Sequence, residues 1–375
     1  MKKTVSAALA AFMIFAHTPA LAGVETSAKA VILTEQSTGR VLAEKNADER
    51  LPIASVTKIM TMLLIMEEID AGRMTLADEV TVSEHAMSFG GSTMFLEAGE
   101  VLSVSDMLKG IAVASANDGC VAMAEHISGS VDAFVERMNA RAAELGMENT
   151  HFVNTNGLDA PEHYSSARDV AIMARELCRH EKIFDYTTIW TDSLRDGKFQ
   201  LANTNKLVRF YRGATGLKTG STDAAGCCLC ASATRDGLSL IGVVLGAPTS
   251  KDRFRDASAL LDLGFAGYKT VQPASKGEVM GGVRVKKGAE DSVNAVCVSD
   301  FSEVLPKTKS GEVNVKLTLP DFVTAPVAAG EVIGRAEFFI GEESIGTVDL
   351  AAEHDVAKKG FFVMLGDILK GLIGA

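Results

Sequence analysis

Ser55 and Lys58 stand three residues apart at the head of a long apolar run, residues 59–69, that ends near Gly72. On a helix that spacing puts the hydroxyl and the ammonium on one face. Pro52, just upstream, cannot extend a helix backwards but suits a helix start. Ser55 therefore falls in the first turn, where unbonded N–H groups and the positive end of the helix dipole favour developing negative charge. The run behind it is apolar on nearly every face, so this helix belongs in the interior. A lysine held against a buried helix start gives up its proton more easily than one in water. The two residues make a candidate nucleophile and base. Ser-x-x-Lys alone is a weak pattern, but here it occurs once and on a buried helix.

Two further groups could serve that pair. Ser115-Ala116-Asn117 offers a hydroxyl that can relay a proton and an amide that can orient a lysine or a carbonyl. Lys218-Thr219-Gly220 offers a cation for a carboxylate, a hydroxyl, and a residue without a side chain where a substrate backbone can come close. Taken singly, the first is commonly just a loop turn, and the second is no more specific. All three in this order, on a helix start, an inter-helix loop and a strand, are far more specific together.

The elements that must position them follow from periodicity. Residues 29–34 and 40–43 read as strands around a turn at Ser37-Thr38-Gly39, and residues 80–82 and 93–96 as shorter candidate strands. Ser105 is placed to cap a helix from Asp106, with Met107, Leu108 and Ile111 on its apolar side. Residues 115–119 interrupt that helix. Helices follow over 120–127, 131–145 and 167–178, with a turn-rich loop at 154–159. The strongest strands are 216–220, 226–233 and 238–245, the last two joined by Arg235-Asp236-Gly237, and a helix over 250–265 follows. Strands and helices thus share this unit, with the late strands adjacent and antiparallel.

From Val271 short alternating runs take over, at 283–285, 293–296 and 313–317, with turns at Gly281-Gly282 and Lys287-Gly288. This reads as a small all-β unit ending near Asp355, with the boundary at 266–270. In the last twenty residues Phe361, Leu365, Ile368, Leu369 and Leu372 share one helix side, opposite Lys359, Asp367 and Lys370. An amphipathic helix lying on a membrane surface is expected there, since the stretch is too short and charged to span.

At 375 residues the chain is too long for one ordinary core, so two folded units are expected. A net charge of −11 without a basic cluster longer than a pair argues against a nucleic-acid partner. Lys2 and Lys3, the apolar residues 5–16 and Ala20-Leu21-Ala22 before Gly23 make an export signal with its cleavage site. His17 and Pro19 follow an apolar centre that is short for a span, which favours cleavage over a retained anchor. The expected organisation is a signal peptide at 1–22, a catalytic domain at 23–268, a β domain at 269–355 and a membrane-anchor helix at 356–375. Six cysteines (120, 178, 227, 228, 230 and 297) would permit three disulfides of unassigned connectivity in an exported chain. No histidine stands close to the 227–230 cluster, so a metal site is not expected, and most of these thiols read as small buried apolar residues.

At Ser55-x-x-Lys58, Ser115-x-Asn117 and Lys218-Thr219-Gly220 the chain resembles the serine penicillin-recognising enzymes. More narrowly, it resembles the low-molecular-mass penicillin-binding proteins that act as D-alanyl-D-alanine carboxypeptidases. The resemblance extends to the signal, the loop at 154–159, Arg253 in Lys251-Asp252-Arg253-Phe254, the β unit and the tail. It implies an α/β (α+β) catalytic domain with an antiparallel sheet flanked by helices. The substrate it implies is the D-Ala-D-Ala end of peptidoglycan stem pentapeptides in the cell wall. Ser55 would be the nucleophile, neutral Lys58 its base, and Ser115 the relay to the leaving D-alanine. Substrate binding would fall to Asn117, Lys218, Thr219, Gly220, Ser221 and Arg253. Of these, Lys218 and Thr219 would hold the terminal carboxylate, with Arg253 as helper, and Ser221 would lend its N–H to an oxyanion hole with that of Ser55. No metal or organic cofactor is implied. β-Lactam antibiotics would be covalent inhibitors, and the enzyme would sit at the outer face of the cytoplasmic membrane. Many relatives carry histidine where this chain has Asn156 and Ser221, which bears on rate and substrate preference.

Three rivals share parts of this reading. A β-lactamase on the same fold needs a carboxylate for the deacylating water, and Asp159 is the sole acid in residues 149–161. A DD-endopeptidase acting on cross-links would use the same residues as the carboxypeptidase. A non-catalytic envelope-binding protein would gain nothing from keeping Ser55, Lys58 and Lys218 together.

Overall fold

The computed structural model describes residues 25–309 and 311–360, so the expected signal and most of the expected tail helix lie outside the described residues. Contacts divide the chain into two units, with the division between Gly264 and Phe265. The first unit is built on a five-stranded antiparallel sheet of β1 (Ala30–Glu35), β2 (Val41–Lys45), β3 (Ala214–Thr222), β4 (Gly226–Arg235) and β5 (Leu238–Ala247). Its order is β2-β1-β5-β4-β3, which leaves β3 at an edge. Pairing of β1 with β5, Ile32 opposite Val243, joins the early hairpin to the late one. Every residue of β1 is buried, as in a strand covered on both faces.

The helices that matter for the site are α1 (Lys58–Asp70), α2 (Val104–Lys109), α3 (Asn117–Ser128), α4 (Val131–Glu144), α5 (Ala167–Cys178) and α6 (Ser250–Gly267). Ten of the thirteen residues of α1 are buried, so it is covered all round, as its even hydrophobicity requires. Ser130 and Ser166 cap α4 and α5 by accepting from the N–H groups of Ala133 and Asp169. Leu260 and Leu261 of α6 pack over Gly242 of β5.

Several local expectations need correction. Helix α2 is capped by Ser103, not Ser105: the extended backbone of Ser103 lets its hydroxyl accept from Asp106 N at 3.0 Å. Ser105 lies inside the helix and bonds the Tyr186 hydroxyl at 2.9 Å. Residues 93–96 form no strand, because the N–H groups of Met94 and Leu96 donate to the Asp118 carboxylate instead of a ladder. The strand at Glu79–Thr81 pairs with Val101–Ser103. Helix α3 begins at Asn117, three residues ahead of the expected start, so Asn117 belongs to a first helical turn and not to a free loop. A hairpin of Thr191–Leu194 and Phe199–Ala202 was not foreseen.

The second unit is all β. Tyr268–Ala274 pairs with Phe301–Pro306, and a six-stranded sheet holds the rest. That sheet is antiparallel except where Phe322–Thr324 runs parallel to Val279–Lys286. Val283, Val293, Ala295, Phe338 and Leu350 form its core. No helix among the described residues is long and apolar enough to cross a membrane.

Candidate active site

Ser55 lies in a 3-10 turn, Ala54–Thr57, that runs straight into α1. Two glycines close on that turn. A Cβ on Gly157 would stand 1.9 Å from the Ala54 carbonyl oxygen, and one on Gly220 would stand 2.8 Å from the Ser55 nitrogen. Only residues without side chains let the 154–159 loop and strand β3 approach so near.

Lys58 is fully buried, and its Nζ reaches three acceptors: Ser55 Oγ at 2.8 Å, Asn117 Oδ1 at 2.7 Å and the Asn156 carbonyl oxygen at 2.6 Å. Asn117 Nδ2 donates to the Gly90 carbonyl at 2.8 Å, which turns the amide oxygen to the lysine. Burial lowers the Lys58 pKa to about 8, opposed in part by Cys120 and Asp118. An ammonium would fill all three contacts, whereas a neutral amine fills two and turns its lone pair to the third.

Ser115 ends a π-helical turn, Gly110–Ala114, in the left-handed region at φ 64°, and is buried. Opposite stands β3. Lys218 is fully buried and its Nζ donates to the Thr219 carbonyl at 2.9 Å. Burial first, and Lys58 second, push its pKa well below the ordinary lysine value. The Thr219 hydroxyl pairs with that of Thr204 at 2.6 Å, and Thr204 N donates to Val113 O at 3.2 Å, tying β3 to the Ser115 segment. Ser221 is exposed, its Oγ 3.6 Å from Cys227 Sγ. Arg253, on α6, sends Nη1 to the Gly220 carbonyl at 2.8 Å and to that of Cys228 at 3.4 Å. It therefore grips the backbone of β3 and β4. The structure thus brings Ser55, Lys58, Asn117 and Gly220 into direct approach, joins Thr219 to the Ser115 segment through Thr204, and sets Arg253 behind the strand.

This constellation can deliver an activated hydroxyl beside two buried amines. A family model described as D-alanyl-D-alanine carboxypeptidase matches residues 15–249, and one described as the C-terminal domain of penicillin-binding protein 5 matches residues 268–358. The chain is similar to the D-alanyl-D-alanine carboxypeptidase DacF of Bacillus subtilis, at 43% identity with 97% of each chain covered. The chain belongs to the D-alanyl-D-alanine carboxypeptidase family. As a member it is a serine-type hydrolase with the fold of the low-molecular-mass penicillin-binding proteins. Its structure is similar to penicillin-binding protein 5 of Haemophilus influenzae, with 34% identity, a TM-score of 0.75, and 89% of this chain and 99% of that one covered. Penicillin-binding protein D2 of Listeria monocytogenes, solved in an ampicillin-bound form, aligns at 31% identity and a TM-score of 0.57 over 64% of this chain and 99% of its own.

Within this carboxypeptidase, three contributors escaped sequence reasoning. The main-chain carbonyl of Asn156 carries no sequence signal of its own. Thr204 sits in Asn203-Thr204-Asn205, a polar run before a strand that reads as a turn. His163 lies beneath the nucleophile turn, Nε2 2.8 Å from Thr57 Oγ1, and a lone histidine is easily passed over. All six cysteines are free thiols.

Proposed function

We propose that this enzyme removes the terminal D-alanine of peptidoglycan stem pentapeptides through an acyl-enzyme on Ser55. The three contacts of Lys58 Nζ carry the reading. With the amine neutral, its two N–H bonds go to Asn117 Oδ1 and the Asn156 carbonyl, and its lone pair turns to Ser55 Oγ. Lys58 then takes the hydroxyl proton as Oγ attacks the carbonyl carbon of the penultimate D-alanine. The oxyanion falls to the N–H groups of Ser55 and Ser221, each worth about 3 kcal/mol in such sites. The close approach of Gly220 to Ser55 N supports that pairing. Ser115 passes a proton to the departing amine, the C–N bond breaks, and D-alanine leaves. Water then attacks the ester, the peptide carboxylate is released, and Ser55 regains its proton.

Lys218 and Thr219 receive the terminal carboxylate. Burial makes a proton on Lys218 costly alone, and the incoming anion offsets that cost, so the lysine is charged when substrate is bound. Arg253 serves the same end from behind, by fixing the Gly220 carbonyl and with it the course of β3. β-Lactams carry a strained amide near a carboxylate and enter the same way, but their leaving amine stays tethered where water must approach. Asp159 is engaged elsewhere: it accepts from the Thr222 hydroxyl at 2.7 Å and from Ala224 N at 3.4 Å. The segments 1–22 and 356–375 are read as an export signal and an amphipathic anchor, which would hold the enzyme on the outer face of the cytoplasmic membrane.

The test pairs two measurements on the mature protein. D-Alanine release from a diacetyl-lysyl-D-Ala-D-Ala peptide should be rapid, and intact-mass spectrometry should find a benzylpenicilloyl adduct on Ser55 that outlives the peptide acyl-enzyme by orders of magnitude. Absence of D-alanine release, or penicillin turnover at many per second, would overturn the reading.

A further inference from the structure

The β1–β2 hairpin and α5 flank a half-open cavity of about 210 Å³ toward the opposite edge of the catalytic sheet from β3. Ile32, Val41, Ala171 and Ile172 give it apolar walls. Two arginines line it, and they differ. Arg168 is spent on Glu44 and Asp48, each at 2.7 Å. Arg175 donates from Nε to the Gln36 carbonyl at 3.1 Å and from Nη2 to the Ser37 carbonyl at 2.6 Å, and has no acidic partner among the described residues. These bonds hold the guanidinium plane but leave its charge uncompensated. Its Nη1 lies 3.3 Å from where a Cβ on Gly39 would stand, and Gly39 lines the same cavity.

The second polar group is Thr34. It shares a face of β1 with Ile32, is 4% exposed and lines the cavity, and its hydroxyl, turned into the protein, has no hydrogen-bond partner among the described residues. A buried hydroxyl left in that state costs free energy that a bound polar atom would recover. The neighbouring acid, Glu35, points to the other face and is taken up by Ser37 and Thr38. Thr38 is thereby committed as well.

We propose that this cavity is a second ligand site, for a small carboxylate with a compact apolar body. The carboxylate would accept from Arg175 and, once the Thr34 side chain turns its buried hydroxyl into the cavity, from Thr34, and the walls would take a body of roughly ten non-hydrogen atoms, below the drug-sized range. The site is remote from Ser55 and does not depend on the reaction proposed there.

The probe is phenylacetate, with phenylacetamide as its uncharged match, titrated into isotopically labelled protein already acylated by benzylpenicillin so that the Ser55 cleft is blocked. Saturable amide shifts at Thr34, Gly39 and Ala171 are expected, with the amide binding about tenfold or more weaker. Arg175→Met should abolish the difference between the two probes. Thr34→Val should weaken phenylacetate while raising the melting temperature of the ligand-free protein, since it removes an unpartnered buried hydroxyl. Absence of saturable shifts at these residues, equal binding of the two probes, or a lower melting temperature for Thr34→Val would overturn the proposal.

Discussion

Acidification should destabilise the catalytic unit through His163. The ring is buried behind the nucleophile turn, its Nε2 2.8 Å from Thr57 Oγ1 and its Nδ1 3.0 Å from Val153 N. Because the Val153 N–H donates to Nδ1, the neutral ring carries its proton on Nε2 and gives it to Thr57. A second proton, on Nδ1, would set donor against donor. Burial lowers the pKa from 6.5 to about 4, so the unfolded chain takes up a proton well before the folded one. The stability contributed by neutral His163 is therefore complete above pH 6.5 and is lost as the pH falls towards 4. That difference amounts to about 2 kcal/mol at pH 5 and about 3 kcal/mol at pH 4. Trp190, the sole tryptophan, lies in this unit and reports its unfolding in urea. His163→Gln should be less stable at neutral pH yet lose much less between pH 7 and 5. Equal losses in the two proteins would refute the reasoning, as would a wild type that gains stability across that window.

Ser55→Ala should abolish penicillin labelling and D-alanine release with the urea midpoint unchanged; labelling that persists would move the nucleophile elsewhere. Lys58→Arg should slow penicillin acylation by about a thousandfold, because a guanidinium cannot act as base near neutral pH. Acylation at the wild-type rate would remove Lys58 from that role. Thr204→Val breaks the 2.6 Å hydroxyl pair with Thr219 and should raise the KM for peptide several-fold with kcat little changed. An unaltered KM would show that the pair does not position substrate. The mature full-length chain should co-sediment with lipid vesicles, and a chain ending at Asp355 should stay in the supernatant while cleaving peptide equally well. Equal sedimentation of the two would remove the tail from that role.

The family was legible because each of the three motifs that carry the resemblance is local. Ser55 and Lys58 need only a helix start between them, and Lys218-Thr219-Gly220 needs only a strand. What joins them is not local. The pairing of β1 with β5 closes the sheet across most of the unit, and no periodicity announces which strands meet. Short segments failed for a related reason. Residues 93–96 look like a strand by composition, but the carboxylate of Asp118 captures two of their N–H groups from another helix. The unforeseen hairpin at 191–202 did carry a signal: Arg195-Asp196-Gly197 repeats the residue types of the Arg235-Asp236-Gly237 turn, with all three residues at positive φ. Arg253 was expected as a helper at the substrate carboxylate; its grip on the Gly220 and Cys228 carbonyls depends on where α6 lies.

The two buried lysines explain why this site cannot be read one motif at a time. Lys58 and Lys218 are both fully buried, and Lys58 makes a charge on Lys218 more costly. Asp118 offsets the cost at Lys58 only in part, and its carboxylate accepts from the N–H groups of Met94, Leu96 and Gly119. Such a pair is a poor choice for stability alone, since uncompensated buried charge is expensive. It suits a site that must remain short of protons until an anion arrives. On the proposed reading, one lysine acts through its neutral form, a minority at neutral pH with a pKa of about 8, and accepts from Ser55, while the other is charged by the carboxylate it binds. The identical side chains take opposite roles because their neighbours differ. Asn117 and the Asn156 carbonyl occupy the N–H bonds of Lys58 and leave its lone pair for the nucleophile. Among the described residues Lys218 has only the Thr219 carbonyl, which leaves donors free for a ligand.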